Sequence, residues 1–198
     1  YAGKLYVGGT FPSAGPPATG YLAAWDGTAW SPLGSGLDGP VYALALYNTE
    51  LVAAGDFTFS GLTPLNRIAR WTGSAWSALR NGVDGPINSI AVFGTSLYAG
   101  GDFASADGIL ARYVARWDGT LWNNLNGQGM NNYVLATVDY GGALVVAGDF
   151  TSAGSVVADH IASWNGTSWS ALGTLGVTPI ALESLASYHG DLIAGGYD

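Results

Sequence analysis

The sequence Trp25-Asp-Gly-Thr-Ala-Trp30 occurs four times along this chain in variant form. The other copies, which bring the total to all eight tryptophans, are Trp71-Thr-Gly-Ser-Ala-Trp76, Trp117-Asp-Gly-Thr-Leu-Trp122 and Trp164-Asn-Gly-Thr-Ser-Trp169. A second motif, which ends in glycine, starts at residues 5, 51, 97, 144 and 192, so its copies are 46, 46, 47 and 48 residues apart. These copies are Leu5-Tyr-Val-Gly-Gly9, Leu51-Val-Ala-Ala-Gly55, Leu97-Tyr-Ala-Gly-Gly101, Leu144-Val-Val-Ala-Gly148 and Leu192-Ile-Ala-Gly-Gly196. The chain is therefore an internal repeat.

Each repeat predicts four short strands, which we label A to D in chain order. Strand A is predicted at Val41–Tyr47, with equivalents at Ile87–Phe93, Val134–Tyr140 and residues 180–188. Strand B is the glycine-ending motif, strand C ends at the first tryptophan, and strand D begins at the second. In three copies an Asp-Gly or Asn-Gly pair joins C to D, which favours a two-residue hairpin turn with positive φ. No segment keeps a helical period, so we expect almost no helix.

Four-stranded units that repeat every 40 to 50 residues or so are typical of β-propeller blades. Residues 1–198 are therefore predicted to be a single all-β propeller domain, or part of one. The glycines of strand B would let the inner strands approach each other near the axis. Each tryptophan buries roughly 150–250 Å² and would fill the wider gap between neighbouring blades.

The repeat count predicts an incomplete ring. The sequence gives five B strands but four each of A, C and D. We therefore expect the chain to be part of a longer array of roughly six to eight blades. The alternative is that two chains assemble into one ring, because repeat units stack on any equivalent neighbour.

Two stretches of sequence carry a family resemblance. Strand B continues into Gly101-Asp102-Phe103 and Gly148-Asp149-Phe150-Thr-Ser-Ala-Gly154, and strands C and D read Ile161-Ala-Ser-Trp-Asn-Gly-Thr-Ser-Trp-Ser-Ala-Leu-Gly173. These patterns resemble the kelch repeats of galactose-oxidase-type propellers. They more closely resemble variant repeats of secreted bacterial surface proteins and fungal cortical cell-polarity marker proteins. The resemblance covers essentially the whole chain and implies a propeller, but the copper chemistry of galactose oxidase would need a cysteine, and this chain has none.

Composition argues against several partners. The chain has six Lys and Arg and fourteen Asp and Glu, which gives a formal net charge of −8. Nucleic-acid binding needs clustered cations instead. No apolar run approaches the length of a membrane span. We therefore expect neither nucleic-acid binding nor membrane insertion. Few lysines beside many Gly, Thr, Ser, Asn and Trp are typical of bacterial β proteins outside the cell, so the expected localisation is extracellular or the cell surface, although the lack of cysteine is equally compatible with the cytosol.

The loops between strands B and C supply the candidate binding residues. These long loops, residues 10–20, 56–67, 102–113 and 149–160, are expected on the same face as the D–A loops, which we call the long-loop face. Binding residues are often carried by loops on a rigid scaffold. The candidate ligand-binding residues are Asp56, Asp102, Asp149, Arg67, Arg112 and His160. The three aspartates could attract Ca²⁺, or each could cap its own turn by accepting backbone N–H bonds.

The expected function is a non-catalytic extracellular binding, adhesion or scaffold module that binds protein or glycan at the long-loop face. Glu50 and Glu183 do not repeat with a partner carboxylate, and His160 and His189 lack a zinc spacing. No catalytic residue or metal ligand is assigned, and Ca²⁺ is the one cofactor considered. One alternative is part of a carbohydrate-active enzyme with catalytic residues outside this segment. Another is a structural subunit of a surface assembly that self-associates through incomplete terminal blades.

Overall fold

A computed structural model describes residues 1–14, 19–173 and 181–197. These residues form antiparallel sheets, and three of the described sheets have four strands in the spatial order A-B-C-D that the repeat predicts. We number the sheets as blades 1 to 5 in chain order. Within the described ranges, the one helical element is a 3₁₀ turn at Leu125–Gly127. The fold is therefore an all-β propeller of four-stranded antiparallel blades.

The strand bounds follow the predicted repeat closely. Blade 1 has strands B, C and D at Leu5–Gly8, Leu22–Trp25 and Trp30–Pro32. Blade 2 has strands A to D at Val41–Tyr47, Glu50–Gly55, Ile68–Trp71 and Trp76–Ala78. Blade 3 has them at Ile87–Phe93, Ser96–Gly101, Val114–Trp117 and Trp122–Asn123, and blade 4 at Val134–Tyr140, Ala143–Gly148, Ile161–Trp164 and Trp169–Ala171. Blade 5 has strands A and B at Ala181–Tyr188 and Asp191–Tyr197; residue 180, where its strand A is predicted to begin, lies outside the described residues.

Successive blades are neighbours, and strand A of blades 2 to 4 packs against strand A of the next blade. The A strands therefore line the inner side of the arrangement, and the D strands lie at its outer rim. The described blades form an open arc. Each of the four hydrophobic clusters draws its residues from two successive blades, so the core lies between the sheets.

In blades 2 to 4 the second tryptophan of the repeat bonds its blade to the blade before it. The indole N–H groups donate to backbone carbonyls about one repeat earlier in the chain. The pairs are Trp76 to Leu33, Trp122 to Leu79 and Trp169 to Gln128, at 3.2, 2.9 and 2.7 Å. These three side chains are 4–5% exposed. The prediction that tryptophans fill the gap between blades is confirmed for blades 2 to 4, whereas Trp25 and Trp30 of blade 1 are only partly buried and belong to none of the clusters.

The turn between strands C and D has two central residues and a positive φ, as predicted, but the central pair starts at the glycine and not at the Asp or Asn before it. In blade 1 the central residues are Gly27 and Thr28, and the positive φ of 103° belongs to the glycine. The Asp26 side chain closes the turn by accepting bonds from the backbone N–H groups of Thr28 and Ala29, at 2.8 and 2.9 Å. Hydrogen bonds from the Thr28 hydroxyl and then from these N–H groups lower the pKa of Asp26 to about 2.

Strand A begins with a β-bulge in blades 2 to 5. The register against strand B shifts between the first and third residues of strand A in blades 2 to 4, and between the second and fourth in blade 5, so the residue between them has no partner. A bulge leaves one extra residue unpaired and bends its strand. The unpaired residues are Tyr42, Asn88, Leu135 and Glu183.

The last glycine of strand B faces this bulge in blades 2 to 4. A Cβ on Gly101 would lie 2.2 Å from the carbonyl oxygen of Pro86, and Gly55 and Gly148 have equivalent contacts at 2.0 and 2.1 Å. Crowding between blades, which is the explanation the sequence suggests, applies instead to the preceding position. A Cβ on Gly100 would lie 2.3 Å from a methyl group of Val134 in the next blade.

Candidate functional site

The B–C loops and the D–A loops lie on the same face, as predicted. Each B–C loop of blades 2 to 4 contains a small hairpin of its own. Backbone bonds join the two sets of loops, as where the N–H of Asp38 donates to Phe59 at 3.1 Å and that of Asp84 donates to Ser105 at 3.2 Å. The long-loop face is therefore a connected surface.

Three side chains in the D–A loops hold the B–C loops in place. Asp84 accepts from the backbone N–H groups of Ala104 and Ser105, both at 2.9 Å, and from the Ser105 hydroxyl at 2.8 Å. Asp38 and Asn131 make the corresponding bonds in blades 2 and 4. Partial burial raises the pKa of Asp84, but the hydrogen bonds from Ser105 and Ala104 outweigh it, so the pKa lies below its usual value.

The interpretation of Asp56, Asp102 and Asp149 as turn caps is wrong. Within the described ranges, no backbone N–H donates to these three carboxylates, and Asp38, Asp84 and Asn131 perform that role instead. The signal for the first two was the Asp-Gly-Pro sequence, which occurs at residues 38–40 and 84–86.

The predicted binding residues do not converge on one site. The Asp56 carboxylate lies 3.5 Å from Nε of Arg67, and the Asp149 carboxylate accepts from the Asn132 amide at 2.7 Å. Asp102 lines a cavity at the inner ends of the blades. Within the part of the chain that the structure describes, no three His, Cys, Asp or Glu residues lie close enough together to hold a metal ion.

His160 and Arg67 hold the same repeat position, directly before strand C, and their backbone carbonyls bond to the end of strand B. The residue before strand C has a positive φ in blades 1 to 4, and its carbonyl accepts from the glycine N–H that follows or ends strand B. His160 is 13% exposed in its side chain, and its Nδ1 lies 3.0 Å from the carbonyl oxygen of Gly148. Arg112 is exposed, and its carbonyl accepts from Met130 at 2.9 Å. The position directly before strand C, held by Arg67 and His160, and the position before that, held by Arg112, therefore both contribute backbone bonds to the scaffold.

The bulges create a cavity of about 530 Å³ at the inner end of the long-loop face, which we call the axial pocket. Its volume lies in the range typical of small-molecule sites. Side chains from four blades contribute to it. The lining residues are the four bulge residues Tyr42, Asn88, Leu135 and Glu183, together with Pro86, Asp102 and Tyr133.

The axial pocket combines aromatic faces with hydrogen-bonding groups. Tyr42 and Tyr133 are 45% and 41% exposed, so their rings are accessible to a ligand. Asp102 and Glu183 supply carboxylate acceptors. The Asn88 amide donates to the carbonyl of Val134 at 2.9 Å, which joins the bulge of blade 3 to blade 4. Such a pocket can stack against a ring and accept several hydrogen bonds.

The sequence reasoning missed the axial pocket except for Asp102. The bulge residues are a tyrosine, an asparagine, a leucine and a glutamate, so the repeat gives no common residue type to find. The one available signal is their position. In blades 2 and 3 the bulge residue lies two residues after the proline that ends the D–A loop, Pro40 or Pro86.

No segment of the described residues forms a helix long and apolar enough to cross a membrane.

Comparison with known families agrees with the fold. Residues 2–140 match the family model described as the Rax2 C-terminal beta propeller domain. The matched segment includes blades 1 to 3 and strand A of blade 4, and it covers more than half of the 198 residues. A search of curated proteins finds no match to the chain. The chain belongs to the Rax2 C-terminal beta propeller domain family.

Proposed function

We propose that this propeller is a non-catalytic binding module of a protein of the cell cortex or cell surface, and that it binds a neutral glycan in the axial pocket. The family match supports a cortical, non-enzymatic role, and the resemblance to repeats of secreted surface proteins supports an extracellular one. The convergence of the four bulge residues on one open cavity is the observation that carries the proposal.

The bulge side chains are available for binding because the scaffold does not bury them. Val41 is 2% exposed at the start of its strand, whereas the next residue, Tyr42, is 45% exposed. An exposed aromatic ring in a concave site is a suitable surface for the apolar face of a sugar ring. The pocket also contains hydrogen-bonding groups for hydroxyl groups.

Charge favours a neutral ligand over an anionic one. Asp102 and Glu183 line the axial pocket without a basic residue among the other lining side chains. The whole chain carries a formal charge of −8. An acidic polysaccharide would therefore be repelled both at the pocket and at longer range.

The two carboxylates are placed for binding more than for catalysis. Catalytic carboxylates are usually oriented by a hydrogen-bonded neighbour. Among the described residues, no side chain donates a hydrogen bond to Asp102 or Glu183. A carboxylate free to adjust can still accept bonds from ligand hydroxyl groups.

Calorimetric titration tests the proposal with neutral oligosaccharides of glucose, N-acetylglucosamine and mannose. We expect at least one to bind, and Tyr42→Ala or Asp102→Asn to weaken that binding about tenfold or more. Asp139→Asn is the matched control, because Asp139 is an exposed carboxylate at the opposite end of strand A. It should leave the affinity unchanged.

Three results would overturn the proposal. If no neutral oligosaccharide binds, the ligand class is wrong. If Asp139→Asn weakens binding as much as Asp102→Asn, the ligand lies outside the axial pocket. If reducing sugar is released and Asp102→Asn stops the release, the domain is a hydrolase.

A further inference from the structure

The cleft between blades 3 and 4 contains two buried N–H donors without an acceptor. Nε of Arg116 and Nε1 of Trp164 are both inaccessible to solvent, and neither has a hydrogen-bond partner among the described residues. Both side chains line one cavity of about 80 Å³. We propose that this cleft binds a carboxylate group.

The preceding pair of blades has the same cleft with a carboxylate already in it. Six residues that line the cleft between blades 2 and 3 hold the same repeat positions as six residues that line the cleft between blades 3 and 4. In order, Arg70, Ala78, Leu79, Arg80, Trp117 and Gly119 correspond to Arg116, Asn124, Leu125, Asn126, Trp164 and Gly166. There Nη1 of Arg70 lies 3.2 Å from Oε2 of Glu50.

Blade 3 lacks the residue that pairs with the arginine. Glu50 is the first residue of strand B in blade 2, and Ser96 is the first residue of strand B in blade 3. A serine cannot supply a negative charge, so Arg116 has lost the partner that Arg70 retains. None of the residues that line the blade 3–4 cleft is acidic.

The neighbouring polar groups are already engaged with one another. Asp118 accepts from the backbone N–H groups of Thr120 and Leu121 and from the amide of Asn123. The amide of Asn124 donates to the carbonyl of Leu110 at 3.0 Å. Among the described residues, the buried donors in the cleft that lack an acceptor are the guanidinium Nε of Arg116 and the indole N–H of Trp164.

A carboxylate satisfies both groups at once. Buried N–H donors without acceptors are unfavourable, and a guanidinium binds a carboxylate through strong, charge-assisted hydrogen bonds. Water could accept from the same donors, but it would not supply the counter-charge that Glu50 supplies to Arg70. The cavity of about 80 Å³ has room for a carboxylate group.

The test follows the indole resonance of Trp164 by NMR, assigned with a Trp164→Phe variant. Sodium formate is titrated against sodium chloride at constant ionic strength. We expect formate to shift this resonance with a saturable curve that chloride does not reproduce. Arg116→Gln should abolish the shift, whereas Arg70→Gln, the matched change in the paired cleft, should leave it intact.

A second variant keeps the test valid if Arg116→Gln does not fold. Ser96→Glu restores the missing carboxylate and should weaken formate binding about tenfold or more by pairing with Arg116. A non-saturating shift, an equal response to chloride, or unchanged formate binding in Ser96→Glu would overturn the proposal.

A further titration identifies the source of the carboxylate. Glutamate blocked at its amino group and its α-carboxyl group presents the same chemistry as an acidic side chain of another protein. Saturable binding of this probe would indicate a protein ligand. Saturation by formate alone would indicate a small free carboxylate.

Discussion

Replacement of Trp122 by phenylalanine measures what one tryptophan contributes to the contact between blades. The indole N–H of Trp122 donates to the carbonyl of Leu79 at 2.9 Å, and the side chain is 5% exposed. Loss of the bond costs about 1 kcal/mol. The Leu79 carbonyl also accepts from Gly82 at 3.2 Å, so it keeps a donor and the larger penalty for an unpaired group does not apply.

The smaller ring adds a second cost. Phenylalanine leaves unfilled space between blades 2 and 3, which costs about 1–2 kcal/mol. We therefore expect Trp122→Phe to lower the free energy of unfolding by about 2–3 kcal/mol, and the midpoint of thermal unfolding by roughly 5–10 °C for a chain of this size. Urea denaturation gives the free energy directly, and an unchanged m-value would show that the cooperative unit is intact.

Trp30→Phe is the matched control for this measurement. Trp30 holds the same repeat position in blade 1, but it is only partly buried, and within the described residues its indole N–H has no acceptor. We expect its replacement to cost under about 1 kcal/mol. Equal losses in the two variants would refute the conclusion that the second tryptophan joins successive blades.

Two further predictions concern the long-loop face. The pKa of Asp84 lies below its usual value, so its stabilising effect is present above the unfolded pKa of about 3.9 and is lost as the pH falls through the folded value. Asp84→Asn should keep the loop bonds, as Asn131 does in blade 4, and should flatten the decline of the melting temperature in acid; a curve parallel to that of the wild type would contradict this. Gly101→Ala places a Cβ 2.2 Å from the carbonyl oxygen of Pro86 and should destabilise the protein by about 3 kcal/mol. The control is Gly94→Ala, where a Cβ meets nothing within 4 Å, and it should cost only about 1–2 kcal/mol because Gly94 has a positive φ. Equal losses of stability in calorimetry would show that the bulge can relax.

The strands could be predicted because their signals are local and recur. The tryptophans and glycines mark strands B, C and D in the repeats, and the apolar run at Val41–Tyr47 marks strand A. The bulge could not be predicted in this way. One extra residue at the start of a strand changes which side chain faces the axis, but it leaves the spacing of the repeat unchanged.

The predicted site residues rest on recurrence. Asp56, Asp102 and Asp149 repeat along the chain, and His160 lies where blade 2 has Arg67. A residue that every blade needs tends to belong to the scaffold, and Arg67 and His160 do belong to it. The axial pocket is lined mainly by residues that differ from blade to blade, so only the three-dimensional arrangement of the blades reveals it.

The bulge separates the requirements of folding from those of recognition. Each bulge residue is unpaired in the sheet, so its side chain can change without altering the pairing of the strands. Four equivalent positions consequently carry four different chemical groups on nearly identical blades. A scaffold with rotational pseudosymmetry can thus present an asymmetric set of side chains around its axis, and single substitutions can change that set while the pairing of the strands stays the same.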